Sequence, residues 1–237
     1  KLTDGAFDIT LVPLIYLWGF GPGQASGLGD IFPEERAVQK RRTHVGYEKL
    51  TTNKYYLQKK DPFIKIDLNA IAKGFGVDAV CSFLESNGMN NIMVEIGGEV
   101  RTKGKNRKNK PWMIAVETPD LKSAGSKTIS WVLSLENKAM ATSGDYRNYY
   151  EIDGIKYSHE IDPRTGYPSQ TGVASATVIA SNCMDADALA TALIIMGAKS
   201  GLQLIEKLDG VEAFLIMREG IDNYRTIKSS GMKISTL

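Results

Sequence analysis

The stretch Asp67-Leu68-Asn69-Ala70-Ile71-Ala72-Lys73-Gly74-Phe75-Gly76-Val77-Asp78 constrains this chain more than any other. Ile71, Phe75, Ala79, Val80, Phe83 and Leu84 recur at helical spacing, and Asn87-Gly88 closes the run. Ahead of it, Phe63-Ile64-Lys65-Ile66 alternates as a short strand does. The pattern predicts a strand entering a helix, with Asn69 as its N-cap. Lys73 then falls near the first turn, where the helix dipole disfavours a cation. An anion sharing the site would explain it, because free N–H groups and an ammonium together hold phosphate. Gly74 and Gly76 would allow backbone or ligand to approach closely. The pattern is equally that of an amphipathic helix with Lys73 lying along its surface.

With 237 residues the chain has the length of one large domain or two intimately packed lobes. A net charge of +2 gives no ground for nucleic-acid binding. The locally basic run Arg101–Lys110 reads as a solvated hairpin loop before Pro111-Trp112. Cys81 and Cys183 lie in or beside amphipathic helices and read as small packing residues. Two cysteines also suffice for one disulfide, so their number leaves the compartment open. No apolar run is expected to cross a bilayer, and no signal peptide is visible. The chain opens at Lys1-Leu2-Thr3-Asp4-Gly5 in what reads as a turn, so an upstream portion, with a targeting segment, is expected.

In order along the chain, Thr3–Thr10 reads as a turn running into an extended piece. Residues 21–33, rich in Gly, Pro and Ser, read as an exposed loop, and Pro33-Glu34-Glu35-Arg36 as the opening of a short helix. His44, near that helix's end, reads as structural or exposed. Tyr55–Leu57 and Phe63–Ile66 predict a hairpin. Strands are expected at Asn91–Ile96, Met113–Glu117, Trp131–Leu135, the run through Met140, Thr177–Ala180, Glu212–Met217 and Tyr224–Ile227, in an antiparallel system. Gly97-Gly98 is either a turn or a place where a flat ligand rests on bare backbone. One helix is expected from Met184 to Gly197, and a second through Leu202, Ile205 and Leu208.

Polar chemistry concentrates in Ala141-Thr142-Ser143-Gly144-Asp145-Tyr146-Arg147 and in Tyr157–Pro168. Turn chemistry accounts for Asp162-Pro163-Arg164-Thr165-Gly166 but not for so many hydroxyls, acids and arginines around one histidine, His159. His159 is therefore read as functional. Asp187 and Thr191, four apart, share one helical face otherwise lined by alanines. Both offer hard oxygen, as Mg2+ prefers, although an acid near a helix start also simply offsets the dipole.

The ordered motifs Asp4–Thr10, Asp67–Asp78, Glu95-Ile96-Gly97-Gly98-Glu99, Thr142-Ser143-Gly144-Asp145, His159–Gly166 and Ala186–Leu193 resemble the ApbE-type FAD:protein FMN transferases. The resemblance implies an α+β fold of mostly antiparallel or mixed sheets packed with helices. It further implies two intimately associated lobes with the ligand site between them. Residues 1–237 would be a single catalytic domain lacking the family's N-terminal portion, which supplies part of the flavin site. Ala6, Phe7 and Asp8 match flavin-contacting positions, and Asp67, Lys73 and the backbone of Ile161 match FAD-binding ones. The Ala70 carbonyl, Asp187 and Thr191 match the Mg2+ site, and His159 the active-site histidine. Glu160 stands where an apolar residue is common. The implied reaction is Mg2+-dependent transfer of FMN from FAD to a Thr or Ser hydroxyl of an acceptor flavoprotein, with release of AMP. His159 and Asp162 are the groups to take the hydroxyl proton, and Lys73 stabilises charge on the pyrophosphate. The implied partner is a flavoprotein subunit of a membrane redox complex, and the implied setting is the outer face of a bacterial cytoplasmic membrane, with a lipid anchor upstream of Lys1. An FAD pyrophosphatase and a non-catalytic flavin binder are the alternatives, and the oligomeric state, monomer or homodimer, is left open.

Overall fold

Along strand β11 (Glu212–Arg218) successive side chains enter different cores, and the layering of the protein follows from that alternation. Ala213, Leu215 and Met217 pack against helices, whereas Phe214 and Ile216 pack against a second sheet. The structure, a computed structural model, describes residues 1–21, 32–117, 129–145, 148–152, 154–220 and 223–236. Its central sheet is antiparallel with order β12-β11-β10-β7-β4-β3. These strands are β3 (Ile92–Ile96), β4 (Glu99–Lys103), β7 (Ala139–Gly144), β10 (Val173–Ala180), β11 and β12 (Tyr224–Lys228).

One face of this sheet carries α3 (Asn69–Ser86) and α4 (Cys183–Ile205). The other is covered by a three-stranded sheet of β13 (Ser235–Thr236), β6 (Ile129–Leu135) and β5 (Trp112–Glu117). A separate cluster of Leu14, Trp18, Val38, Val45 and Ile161 forms the core of a smaller lobe. It is built from α1 (Val12–Leu17), α2 (Glu35–Arg42), the hairpin of β8 (Tyr149–Ile152) and β9 (Ile155–Ser158), and the turn after it. Trp18 fastens that lobe, its indole N–H donating to the Gly166 carbonyl at 2.8 Å. The α+β architecture in two lobes is the one the sequence leads to.

The junction of α3 with α4 sets the geometry of everything between the lobes. A Cβ on Gly74 would come within 2.8 Å of Met184 Cα, so only glycine lets the helices meet this closely. One turn later, Asp78 caps α4 from outside. Its carboxylate accepts the N–H groups of Cys183 (2.9 Å) and Met184 (2.9 Å), and Arg101 pairs with it at 2.8 Å. Asn182 completes the cap by accepting the Asp185 N–H at 2.8 Å. The expected break in the second helical run is a kink at Gly197, where φ is 77°. The Ile194 carbonyl beside it accepts from the hydroxyls of Ser169 and Thr171.

Several expectations are corrected. Phe63–Ile66 is not a strand, because Asp61 accepts the Phe63 N–H at 2.9 Å and turns the chain there. The hairpin lies earlier, pairing β1 (Leu50–Thr52) with β2 (Leu57–Lys59). Asn69 is inside the first turn of α3 rather than its cap, and the Asp67 side chain accepts the Asn69 N–H at 2.7 Å. The buried face of α3 is Gly74, Val77 and Cys81, whereas Phe75 and Phe83, part of the apolar run at helical spacing, are 61% and 66% exposed. Thr3–Thr10 is a succession of turns rather than a turn running into an extended piece, and α1 follows it. Arg101–Lys110 is not a hairpin loop. Arg101 and Lys103 lie on β4, paired with Asp78 and Glu85, and the rest links β4 to a strand of the other sheet. By length and composition α4 could cross a bilayer, which the expectation missed, yet it is kinked and packed in the core. Cys81 and Cys183 are buried and free, as packing residues are. Of the loop at 21–33, residues 22–31 lie outside the described residues, as do Tyr146 and Arg147.

Replacing Asp78 by Ala removes the outside cap of α4 and leaves Arg101 only its longer pair with Glu85 at 3.7 Å. The expected loss is about 2–3 kcal/mol of unfolding free energy, read by urea titration. A change under about 0.5 kcal/mol, typical of an uninvolved surface site, would mean that Asp78 does not hold the junction.

Candidate active site

A cavity of about 440 Å³ opens between the two lobes. The turn before α1 lines it with Ala6, Phe7 and Asp8, and the start of α3 with Asp67, Ala70 and Lys73. Asp187 and Thr191 reach it from α4, and His159 from the segment after β9. Nine of the eleven expected site residues thus meet in one place (Ile161 and Asp162 do not). A second cavity of about 450 Å³, lined by Gly5, Arg42 and Arg164 among others, shares only Asp8 with it.

Asp187 is the buried centre of the arrangement, at 2% exposure. Its Oδ2 accepts the Gly74 N–H at 3.0 Å, a donor that an undisturbed helix would direct at the Ala70 carbonyl. Asp187 and the Ala70 carbonyl therefore compete for one N–H, which ties the carboxylate to the first turn of α3. Burial pushes the Asp187 carboxyl above the ordinary carboxylate range, while the Gly74 N–H and Lys73 pull it back. The Thr191 hydroxyl sits 3.0 Å from the Ser143 hydroxyl on β7. Among the described residues no group of three or more His, Cys, Asp or Glu side chains is placed to hold a metal. A site here would use one carboxylate, one hydroxyl and a main-chain carbonyl, a hard-oxygen set that suits Mg2+ with water completing its shell.

Lys73 is aimed by a residue the sequence reading quoted but gave no role. Its Nζ is 2.5 Å from Oε1 of Glu99, which is 1% exposed and whose Oε2 has no hydrogen-bond partner among the described residues. Burial raises the Glu99 carboxyl, and Lys73 lowers it again. Gly97-Gly98 is the two-residue turn between β3 and β4, with φ of 62° and 104°. The turn reading is therefore sufficient for both glycines.

Asp8 and Asp67 also hold backbone. Asp8 accepts from the Thr10 N–H and hydroxyl and from the Tyr47 N–H, tying the first turn to the segment after α2. The Ile161 side chain is buried in the smaller lobe and its backbone bridges to Pro168. Asp162 is not brought to the cavity. Its carboxylate takes Nε and Nη2 of Arg164 at 2.8 Å each, so the proposed sharing of proton transfer with His159 is not supported. His159 places Nδ1 3.2 Å from the Asn148 carbonyl and Nε2 3.5 Å from Glu160 Oε1. Ser143, Asn148, Glu99 and Glu160 were missed as site residues, since contacts across strands leave no local spacing to read.

Fold and site define a class: an antiparallel α+β protein whose interlobe cavity joins hard-oxygen donors, a helix start and a lysine. The model of the ApbE family matches residues 1–215, and the chain belongs to that family. Similar relatives are the FAD:protein FMN transferases of Vibrio cholerae serotype O1 and Haemophilus influenzae. The first is 44% identical over 98% of this chain and 67% of its own length, the second 45% identical over 97% and 65%. The solved flavin transferase ApbE from Vibrio cholerae is 43% identical and superposes with a TM-score of 0.81 over 97% of this chain and 70% of its own. The chain thus spans about two thirds of the length of the curated relatives it matches.

The Gly74→Ala variant should lose at least about 2 kcal/mol of stability from overpacking at the junction. Mg2+ is expected to raise the melting temperature of the wild type, and the variant should show no such rise. A variant stabilised by Mg2+ as strongly as the wild type would separate the metal site from this junction.

Proposed function

We propose that this chain carries out transfer of FMN from FAD to a Ser or Thr hydroxyl of an acceptor flavoprotein. The observation that carries the reading is the meeting of Ala70, Asp187, Thr191, Lys73 and His159 in one cavity, in a chain of the ApbE family. The names of its relatives support the same reaction.

Ala70, Asp187 and Thr191 would hold Mg2+, which when bound supplies charge neutralisation on the pyrophosphate. The chain's own groups account for the rest. The start of α3 presents N–H groups, and Lys73 an ammonium, to an anionic ligand. Asp67, Phe7 and Ala6 shape the wall along which the dinucleotide lies. The Asn148 carbonyl only accepts, so His159 Nδ1 carries the hydrogen there and Nε2 keeps a lone pair for the acceptor hydroxyl's proton. As that proton leaves, the hydroxyl oxygen bonds to the FMN-side phosphorus, the bond to the AMP phosphate breaks, and AMP departs. The same reading takes the acceptor to be a subunit of a membrane redox complex. It sets the reaction on the outer face of a bacterial cytoplasmic membrane, with the enzyme held there by a lipid anchor.

Incubating the protein with FAD, Mg2+ and a peptide bearing an acceptor Ser/Thr tests the proposal. A flavin-fluorescent peptide with stoichiometric AMP is expected. Free FMN with AMP would make the protein a pyrophosphatase, and unchanged FAD a binder. Asp187→Ala should cut AMP release more than about 100-fold, and wild-type rates would remove the metal assignment. His159→Ala should slow transfer about 100- to 10,000-fold while FAD affinity stays within a few-fold; equal losses in both would make the histidine structural.

A further inference from the structure

The reaction just described leaves one carboxyl in the cavity wall without a task. Glu160 is 7% exposed and lines the cavity, and its Oε1 lies 3.5 Å from His159 Nε2. Its backbone is fixed on both sides, with its carbonyl accepting the Ser169 N–H at 2.8 Å and the next residue, Ile161, buried in the smaller lobe. Among the described residues, no hydrogen bond to another side chain accounts for burying this carboxyl. The only ion pair it makes among the described residues is with His159.

We propose that Glu160 is the positioning residue for His159, its carboxylate stabilising the imidazolium and holding the ring once Nε2 has taken up the hydroxyl proton. The inference rests on the transferase reading of the site. With Nδ1–H fixed on the Asn148 carbonyl, the ring has one free nitrogen, and Glu160 is the acid beside it. The pair therefore shares at most one further proton. When that proton is present, Nε2 is occupied and the acceptor hydroxyl has no base. When it is absent, Nε2 takes the hydroxyl hydrogen. The O–H bond breaks, the N–H bond forms, and the carboxylate opposite balances the new charge until the proton passes to solvent.

The other charged groups facing Glu160 are Asp145, Asp187 and Lys73. Asp145 is already paired with Arg218 by two contacts of 2.9 Å, and Lys73 is held by Glu99, so His159 is the near partner. Burial raises the Glu160 carboxyl, Asp145 and Asp187 raise it further, and His159 and Lys73 oppose them.

Glu160→Gln keeps the shape and removes the charge. Without the carboxylate the ring gives up its proton at lower pH, so the acid limb of the transfer rate should move down by about one pH unit. The maximal rate should fall about tenfold, with KM for FAD little changed. A merely structural glutamate would leave the limb in place. The chain has two histidines, so the His159 ring can be followed by NMR in the His44→Gln background without any turnover. Its titration midpoint should likewise move down in Glu160→Gln, and an unmoved midpoint overturns the proposal. Because this second readout needs no acceptor or activity, it decides the role of Glu160 even if the transferase reading itself fails.

Discussion

One N–H organises the site: that of Gly74, donated to Asp187 across the gap between α3 and α4. It exists only because glycine at 74 lets the helices meet and Asp78 binds the exposed N–H groups of Cys183 and Met184. Each contact is modest. Together they fix a buried carboxylate, which is costly to leave unpaired, against the first turn of another helix. The rest of the cavity takes its position from that joint. Thr191 is one turn further along α4, Lys73 precedes Gly74, and Ser143 on β7 reaches the Thr191 hydroxyl.

This explains which parts were legible in the sequence. Strands β3, β5, β10 and β11 and the kinked α4 follow from periodicity and glycine punctuation, which are local signals. The cavity positions of Ala70, Lys73, Asp187 and Thr191 came through ordered motifs that keep residues distant in the chain in a recognisable set. What failed was decided across space. The apolar pattern on α3 pointed to Phe75 and Phe83, but the helix is rotated so that Gly74, Val77 and Cys81 face the core, because Gly74 must meet α4. Phe63–Ile66 has alternation without a neighbouring edge to pair with, and Asp61 turns the chain instead. Glu99 and Glu160 look like unremarkable surface acids until the fold buries them.

The balance of charge in the cavity gives the last step. Asp187, Glu99 and Glu160 are all buried enough that desolvation raises each of them. Asp187 and Glu160 line the cavity together with Asp8 and Asp67, and the lysine there, Lys73, is already committed to Glu99 at 2.5 Å. A pyrophosphate brought to such a wall would meet net negative charge and only one shared ammonium. Helix N–H groups at the start of α3 offset part of this, by an amount on the order of 1 kcal/mol per site. A small divalent cation held by hard oxygens would remove most of the remainder, which links the donor set to the proposed anionic substrate. On this view the acids of the wall would favour an anion that arrives with a counter-ion, and Lys73, held by Glu99, would serve to orient it.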